Sequence, residues 1–288
     1  MSKDRLYSPR YVKRIIDKYD FRFSKSLGQN FLIDGNIVGN IVESANITKS
    51  DYVLEIGPGI GTLTEELARK AKKVVAIEID EGLLPVLDET LEEYDNIEII
   101  HGDILDIDIN KLIQEKFNNT PVKVVANLPY YVTTPIIGKL LEEVNYIDSI
   151  TVMVQKEVAD RMVADPGSKV YGSLSVFINF YTDPEISFRV PKTVFMPQPK
   201  IDSAIIKLNI KEDIPNIDKD KFFKVVKAGF SKRRKTILNS LSSYGFNTDK
   251  ETIRKCLEQA NIKEKERAEK LSIEDFINIS TILPSLDI

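Results

Sequence analysis

Five short apolar runs, each followed by a stretch of helical spacing, constrain this chain more than any other feature. The runs are YVLEI (52–56), VVAIEI (74–79), IEII (97–100), VKVVA (122–126) and ITVMV (150–154), and helix-like segments lie near 62–71, 81–93, 110–117, 134–143 and 156–164. Parallel strands need a crossover, and a helix that lays one face on the sheet supplies it. The alternation therefore predicts an α/β fold with a parallel sheet covered on both faces. Ahead of it, Ser8-Pro9 reads as an N-cap with proline at the first helical position, followed by Val12, Ile15, Ile16 and Tyr19 at helical spacing. Asp34 can cap a second helix whose apolar face is Ile37, Val38, Ile41 and Val42. Behind it, EISFRV (185–190) and SAIIKLNI (203–210) read as strands of a hairpin-like sheet edge joined by a proline-rich loop. KEDIPN (211–216) reads as a linker, and 218–230, 232–242, 249–260 and 272–282 as helices of a small all-α domain. The expected organisation is a basic helical extension over 1–24, a main domain over 25–212 and a helical domain over 213–288.

Composition excludes several classes. The 288 residues are 42% hydrophobic and 29% charged, ordinary globular usage that rules out wholesale disorder. The longest stretch without Asp, Glu, Lys or Arg is 124–138, short of the roughly 20 apolar residues that span a bilayer. Positions 1–25 hold eight Lys/Arg and no apolar core segment, so no secretory signal is read there and a cytoplasmic location is expected. With one cysteine, Cys256, and one histidine, His101, neither an internal disulfide nor a Cys/His metal site nor a histidine-centred triad is expected. A monomer is the default.

The net charge of −4 hides an uneven distribution. Residues 76–110 contain twelve Asp/Glu and no Lys or Arg, whereas 221–240 contain seven Lys/Arg and no acid. Lys232, Arg233, Arg234 and Lys235 are consecutive and cannot share one helix face. With the basic N terminus they suggest a polyanion footprint on an acidic protein.

The chemistry-bearing residues fall at one phase of the β-α repeat. EIGPGIGTLT (55–64) follows a strand and opens a helix, and glycines at 57, 59 and 61 allow main chain to approach a ligand closely. The G-x-G-x-G spacing differs from the G-x-G-x-x-G of dinucleotide sites and suits a nucleoside-like cofactor better than a pyrophosphate. Glu78 follows Gly59 at close to the offset at which an acid accepts from ribose hydroxyls, and Asp103 and then Asn127 each come one further β-α unit along. Polar residues at successive strand carboxyl ends converge on one crevice. In NLPYY (127–131), the Asn127 side-chain oxygen and the Leu128 carbonyl can both accept from one amino group, Pro129 fixes the backbone between them, and Tyr130 offers a ring face to a planar base. Two such acceptors would localise the lone pair of an adenine amine, otherwise delocalised into its ring.

These residues, with KSLGQNFL (25–32), AIEID (76–80), GDIL (102–105), NLPYYVTTPII (127–137), VFMPQPKIDSAII (194–206) and GFSKRRKTILNSL (229–241), closely resemble the KsgA/RsmA family of small-subunit ribosomal RNA adenine N(6),N(6)-dimethyltransferases. The resemblance runs from about residue 22 to the final helices. It implies a Rossmann-like S-adenosylmethionine-dependent methyltransferase domain with a mostly parallel seven-stranded sheet, the helical domain binding RNA. It implies cofactor contacts at Asn30, Leu32, Gly57, Gly59, Glu78, Ile79, Asp103, Ile104 and Asn127, and catalysis by Asn127, Leu128, Pro129 and Tyr130. Tyr130 and Phe195 would sandwich the target adenine, and Lys232, Arg233, Arg234 and Lys235 would hold RNA. The implied partner is 16S rRNA in an immature small subunit, methylated twice on each of two adjacent adenosines near its 3′ end, with no metal and no general base. Three other readings stand beside it: a sister family that methylates large-subunit rRNA, a dinucleotide-dependent oxidoreductase, and a non-catalytic assembly factor.

Overall fold

The computed structural model describes residues 5–21, 23–24, 27–143 and 145–284. Lys25 and Ser26 of the KSLGQNFL motif and the first four residues of the basic N terminus lie outside the described residues. The chain divides into two compact units, 1–159 with 185–210, and 160–184 with 211–288.

In the first unit, α1 (Pro9–Lys18) begins at Ser8 with proline in its first turn. Its apolar stripe of Tyr11, Val12 and Ile15 is buried in a cluster with Phe31, Ile60, Leu83, Leu87 and Leu91, each such side chain contributing about 1.5–3 kcal/mol. Lys18 Nζ donates to Glu89 at 2.5 Å, and the Tyr19 hydroxyl donates to the same carboxylate. After β1 (Phe31–Leu32), α2 (Gly35–Ser44) is capped by Asp34, whose carboxylate accepts from the Asn36 and Ile37 N–H groups.

The repeat then runs β2 (Tyr52–Ile56), α3 (Thr62–Lys70), β3 (Lys73–Glu78), α4 (Leu84–Thr90), β4 (Ile97–His101), α5 (Ile109–Phe117), β5 (Val122–Asn127), α6 (Thr133–Glu143) and β6 (Ile147–Gln155). Beyond it come α7 (Lys156–Met162), α8 (Ser173–Tyr181), β7 (Thr182–Val190), β8 (Phe195–Met196) and β9 (Ser203–Ile210). The seven-stranded sheet has the order β4-β3-β2-β5-β6-β9-β7. Pairs β3–β4, β2–β3, β2–β5 and β5–β6 are parallel, while β9 runs antiparallel to β6. Val53, Leu54, Val74, Val75, Val124 and Val125 are fully buried, because helices cover both faces; their strands read as unbroken apolar runs for that reason. From β2 the chain moves outward to β3 and β4, then returns to place β5 on the other side of β2. The order reverses between β2 and β5, and such a switch point opens a crevice at the strand carboxyl ends.

The second unit contains α8, α9 (Lys219–Phe230), α10 (Ile237–Ser242), α11 (Lys250–Gln259) and α12 (Ile273–Ile282). Phe180 packs on Phe222 at 4.8 Å between ring centroids, and Phe177 on Phe223 at 5.3 Å. Two features differ from the sequence reading. Residues 160–184, expected within the main domain, join the helical unit through this aromatic packing. Residues 232–236, expected to begin a helix, form the turn between α9 and α10, with Thr236 capping α10 by accepting from the Asn239 N–H.

Candidate active site at the sheet switch point

The crevice between β2 and β5 is a cleft holding about 1090 Å³ of empty space. One wall is the glycine turn after β2. Gly57 and Gly59 have φ of +70° and +62°, values that L side chains seldom adopt. A Cβ on Gly59 would stand 3.1 Å from the Phe31 ring, whereas one on Gly57 would meet nothing within 4 Å and would occupy ligand space. The Gly57 N–H donates to the Ile77 carbonyl at 2.9 Å, and the Gly102 N–H to the Glu78 carbonyl at 2.9 Å, so the turns leaving β2, β3 and β4 are locked side by side.

Glu78, at the end of β3, is buried, and main chain holds both its oxygens: Oε2 accepts from the Gly59 N–H at 3.1 Å and Oε1 from the Asp80 N–H at 2.8 Å. Burial raises its pKa above the ordinary carboxylate value, opposed by these hydrogen bonds. Its remaining lone pairs can still accept from a diol. Asp103 Oδ1 accepts from the Leu105 N–H at 2.8 Å, which shapes the turn after β4. Asn127 ends β5, and its Nδ2 donates to the Asn30 carbonyl at 3.1 Å. Only the amide nitrogen can donate to a carbonyl, so this bond leaves Asn127 Oδ1 as an acceptor. Asn30 is held in turn by Nδ2 donating to the Gly28 carbonyl at 2.8 Å. Gln29 Nε2 donates to Asp80 at 2.6 Å and ties the segment before β1 to the loop after β3. The Tyr130 hydroxyl pairs with Ser203 Oγ at 2.7 Å, and burial raises its pKa.

The structure thus brings Asn30, Leu32, Gly57, Gly59, Glu78, Ile79, Asp103, Ile104, Asn127, Leu128, Pro129 and Tyr130 to one cleft. Phe195 is placed elsewhere. It is 3% exposed, belongs to the apolar cluster with Val190, Val194 and Ile205, and is absent from the cleft lining. The reason is pairing, since β8 runs antiparallel to β1 with Phe195 opposite Leu32. The expected aromatic sandwich has Tyr130 in the cleft and its second ring in the core.

Glu55 and Tyr131 are among the lining residues to which the sequence assigns no role. Glu55 is 1% exposed and lines the cleft, and its Oε2 has no hydrogen-bond partner. Burial pushes its carboxyl up to about 8, with Thr64 opposing and Glu78 adding to the shift. The available signal was an acid inside the apolar run YVLEI. Tyr131 is 62% exposed at the same cleft. An orphaned buried carboxyl oxygen, a glycine facing open space and a strand-end acid fit S-adenosylmethionine, whose parts include an ammonium group, a ribose diol and an adenine. Among the described residues no group of three or more His, Cys, Asp or Glu is placed to hold a metal, and no helix is long and apolar enough to cross a membrane.

A mostly parallel sheet with a glycine turn, a strand-end acid and a deep cleft at its switch point defines a Rossmann-like methyltransferase. Comparison with known proteins narrows the class. The family model for ribosomal RNA adenine dimethylases matches residues 20–284, and the chain belongs to that family. It is therefore an rRNA adenine dimethyltransferase that uses S-adenosylmethionine. The chain is 53% identical over 284 residues to ribosomal RNA small subunit methyltransferase A of Clostridioides difficile strain 630, covering 97% of both chains. It is 52% identical over 288 residues to the protein of the same name from Bacillus pumilus strain SAFR-032, covering 98% of both. A dimethyladenosine transferase from Plasmodium falciparum superposes with TM-score 0.73 at 29% identity, over 86% of this chain and 95% of that one. The 23S rRNA methyltransferase ErmE superposes with TM-score 0.68 at 27% identity, over 88% and 99%.

Proposed function

We propose that this enzyme dimethylates the N6 amino groups of two adjacent adenosines near the 3′ end of 16S rRNA in an immature small ribosomal subunit, and so takes part in subunit biogenesis in the cytoplasm. The observation that carries the reading is the anchored amide of Asn127, whose nitrogen is engaged by the Asn30 carbonyl and whose oxygen is left as an acceptor, on a residue that lines the cleft with Leu128 and Tyr130. Near-full-length identity of 51–53% to proteins named for the small subunit supports that substrate over the large-subunit one, where the likeness to ErmE is 27%.

When bound, S-adenosylmethionine supplies an electrophilic methyl group. Asn30, Leu32, Gly57, Gly59, Glu78, Ile79, Asp103 and Ile104 would hold it, Glu78 as the acceptor for its ribose diol and Asp103 and Ile104 as the partners of its adenine. Tyr130 lays its ring on the target base, a stacking contact of roughly 1–3 kcal/mol. Asn127 Oδ1 and the Leu128 carbonyl accept the two N6 hydrogens, so the nitrogen lone pair localises toward the methyl donor, and Pro129 keeps the acceptors in register. Catalysis is then positioning and polarisation. No side-chain base is needed, because the methylated amine is acidic and sheds its proton to water. The second transfer meets an amine with one hydrogen fewer, and one acceptor goes to water.

The test is transfer of labelled methyl from S-adenosylmethionine to small subunits lacking the modification, with large subunits in parallel, followed by nucleoside analysis. Dimethyladenosine confined to the small subunit is expected. Label confined to large-subunit RNA, or binding to small subunits without transfer, would overturn the reading.

A further inference from the structure

The family model matches from residue 20 onward, which leaves α1 outside it, yet α1 is docked behind the wall of the cleft. Tyr11, Val12 and Ile15 of α1 share one apolar cluster with Phe31, Ile60 and Leu83, and the latter three also line the cleft. Each of those three side chains therefore stands between α1 and the space a cofactor fills. Protein interiors are close-packed and transmit strain, so what presses on the far side of such a wall is felt on the near side.

Two routes lead from the N-terminal segment to Glu78. The first runs through rings. Phe21 and Phe23, in the turn after α1, pack on Phe31 with ring centroids 5.8 and 5.2 Å away, and on each other at 5.8 Å. The Phe31 ring lies so close to Gly59 that a Cβ there would stand 3.1 Å from it, and the Gly59 N–H holds Glu78 Oε2 at 3.1 Å. The second route runs through hydrogen bonds. The Ser24 N–H donates to Gln29 Oε1 at 2.8 Å, and Gln29 Nε2 donates to the Asp80 carboxylate at 2.6 Å. That carboxylate also accepts from the Gly82 N–H at 3.0 Å, which fixes the loop after β3, and the Asp80 N–H holds Glu78 Oε1 at 2.8 Å. Both oxygens of Glu78 are thus held by main-chain donors that the N-terminal segment backs. The segment is itself tied down: the Phe21 N–H donates to the Ile16 carbonyl at 2.9 Å, and the Tyr19 hydroxyl donates to Glu89 on α4 and lies 3.3 Å from the Pro85 carbonyl.

We propose that α1 and the phenylalanine turn behind it form a positioning element for S-adenosylmethionine, which holds Glu78 through its two main-chain donors and so sets cofactor affinity without touching the cofactor. The proposal rests on the reading of Glu78 as the acceptor for the ribose diol. Phe21 is the positioning residue to test, because its ring backs Phe31 and it does not line the cleft.

The experiment is a double-mutant cycle on the full chain, with S-adenosylmethionine binding read by calorimetry. Phe21→Ala opens space behind Phe31 and should weaken binding roughly five- to tenfold, within the range of coupling between contacting residues. Unchanged stoichiometry certifies that the variant is folded; if it is not, Phe21→Val takes its place, with a loss of roughly threefold expected. In methyl transfer the loss should fall on KM for the cofactor, with kcat within about twofold of wild type. Phe21→Leu refills most of the space and should bind within about twofold of wild type. Glu78→Gln alone should weaken binding more than Phe21→Ala does, and combining the two should cost less than about twofold further, because the acceptor being positioned is already gone. Wild-type affinity in Phe21→Ala would overturn the proposal. So would a full additional loss in the Glu78→Gln background, which would mean that the ring acts by another route while Glu78 keeps its assigned role. Wild-type affinity in Glu78→Gln would instead sink the reading of Glu78 on the ribose, and the proposal with it.

Discussion

The switch-point cleft of the first unit and the open hollow of the second, lined by Arg161, Lys169, Lys232, Arg233 and Lys235, are built by opposite means. In the cleft, main chain does the shaping: Gly57 and Gly59 at positive φ, Glu78 held by two N–H groups, and Asn127 fixed on the Asn30 carbonyl. In the hollow, five long side chains stand at the rim of a pinned but open surface. The difference teaches a division of labour. A polarised amine must be placed to within a fraction of an ångström, which rewards groups that cannot move. A phosphate backbone is held by summed charge, which tolerates motion and responds to salt.

The largest expected effect breaks the cleft's rigid element. Asn127→Ala removes one of the two acceptors and should lower kcat by about 10³-fold, leaving S-adenosylmethionine affinity within a few fold, as measured by single-turnover transfer and calorimetric binding. Near-normal turnover would end the assignment of Asn127. Gly59→Ala acts on the shape of the wall. At φ +62° with a new Cβ 3.1 Å from the Phe31 ring, it should cost about 1–2 kcal/mol, read as a lower Tm and roughly tenfold weaker cofactor binding. An unchanged Tm would show that the turn relaxes and that the cleft is less rigid than the contrast requires.

How much was legible in the sequence follows the same division. The repeat from β2 to β6 was readable because strands buried on both faces become apolar runs, and the turn because a positive-φ corner demands glycines at fixed spacing. Glu78, Asp103 and Asn127 were readable because strand ends recur in phase. Helix α8 was not, since SLSVFINFY is apolar on nearly every side and has no amphipathic period to detect. The burial of Phe195 was not legible, because a motif gives a residue's neighbours in the chain but not the antiparallel pairing with β1 that draws it into the core. Arg161 and Lys169 carried no signal, because a surface assembled from side chains distant in sequence has no spacing rule.

Glu55 tests whether buried charge in the cleft behaves as its surroundings dictate. Its folded pKa of about 8 lies above the ordinary carboxyl value of 4.5. Between those values the unfolded chain has lost the proton that the folded chain keeps, so stability falls as pH rises through this window. Glu55→Gln removes that dependence. The Tm of the variant minus that of the wild type should therefore climb steadily from about pH 5 to about pH 8.5 and level off above. A flat difference would mean that Glu55 is ionised in the free protein and that the cleft is wetter than its burial indicates.

The smallest effect sharpens the other half of the comparison, within the four consecutive cations themselves. Summed charge along the sequence treats Lys232, Arg233, Arg234 and Lys235 as equals, but the turn distributes them, with Lys232, Arg233 and Lys235 on the hollow and Arg234 off it. Lys232→Glu should flatten the salt slope for small-subunit binding by about one contact's worth, roughly 0.7–0.9, and weaken binding several fold. Arg234→Glu makes the same change in net charge at a neighbouring turn position, and should reduce affinity less than twofold with the slope close to wild type. The Lys232→Glu/Arg234→Glu double variant should then lie near Lys232→Glu alone. Equal losses from the two single variants would mean that the region works as an unstructured cloud of charge. A loss confined to Lys232→Glu means that the fold has selected which cations meet the backbone, so that even the salt-sensitive half of the molecule has a defined geometry.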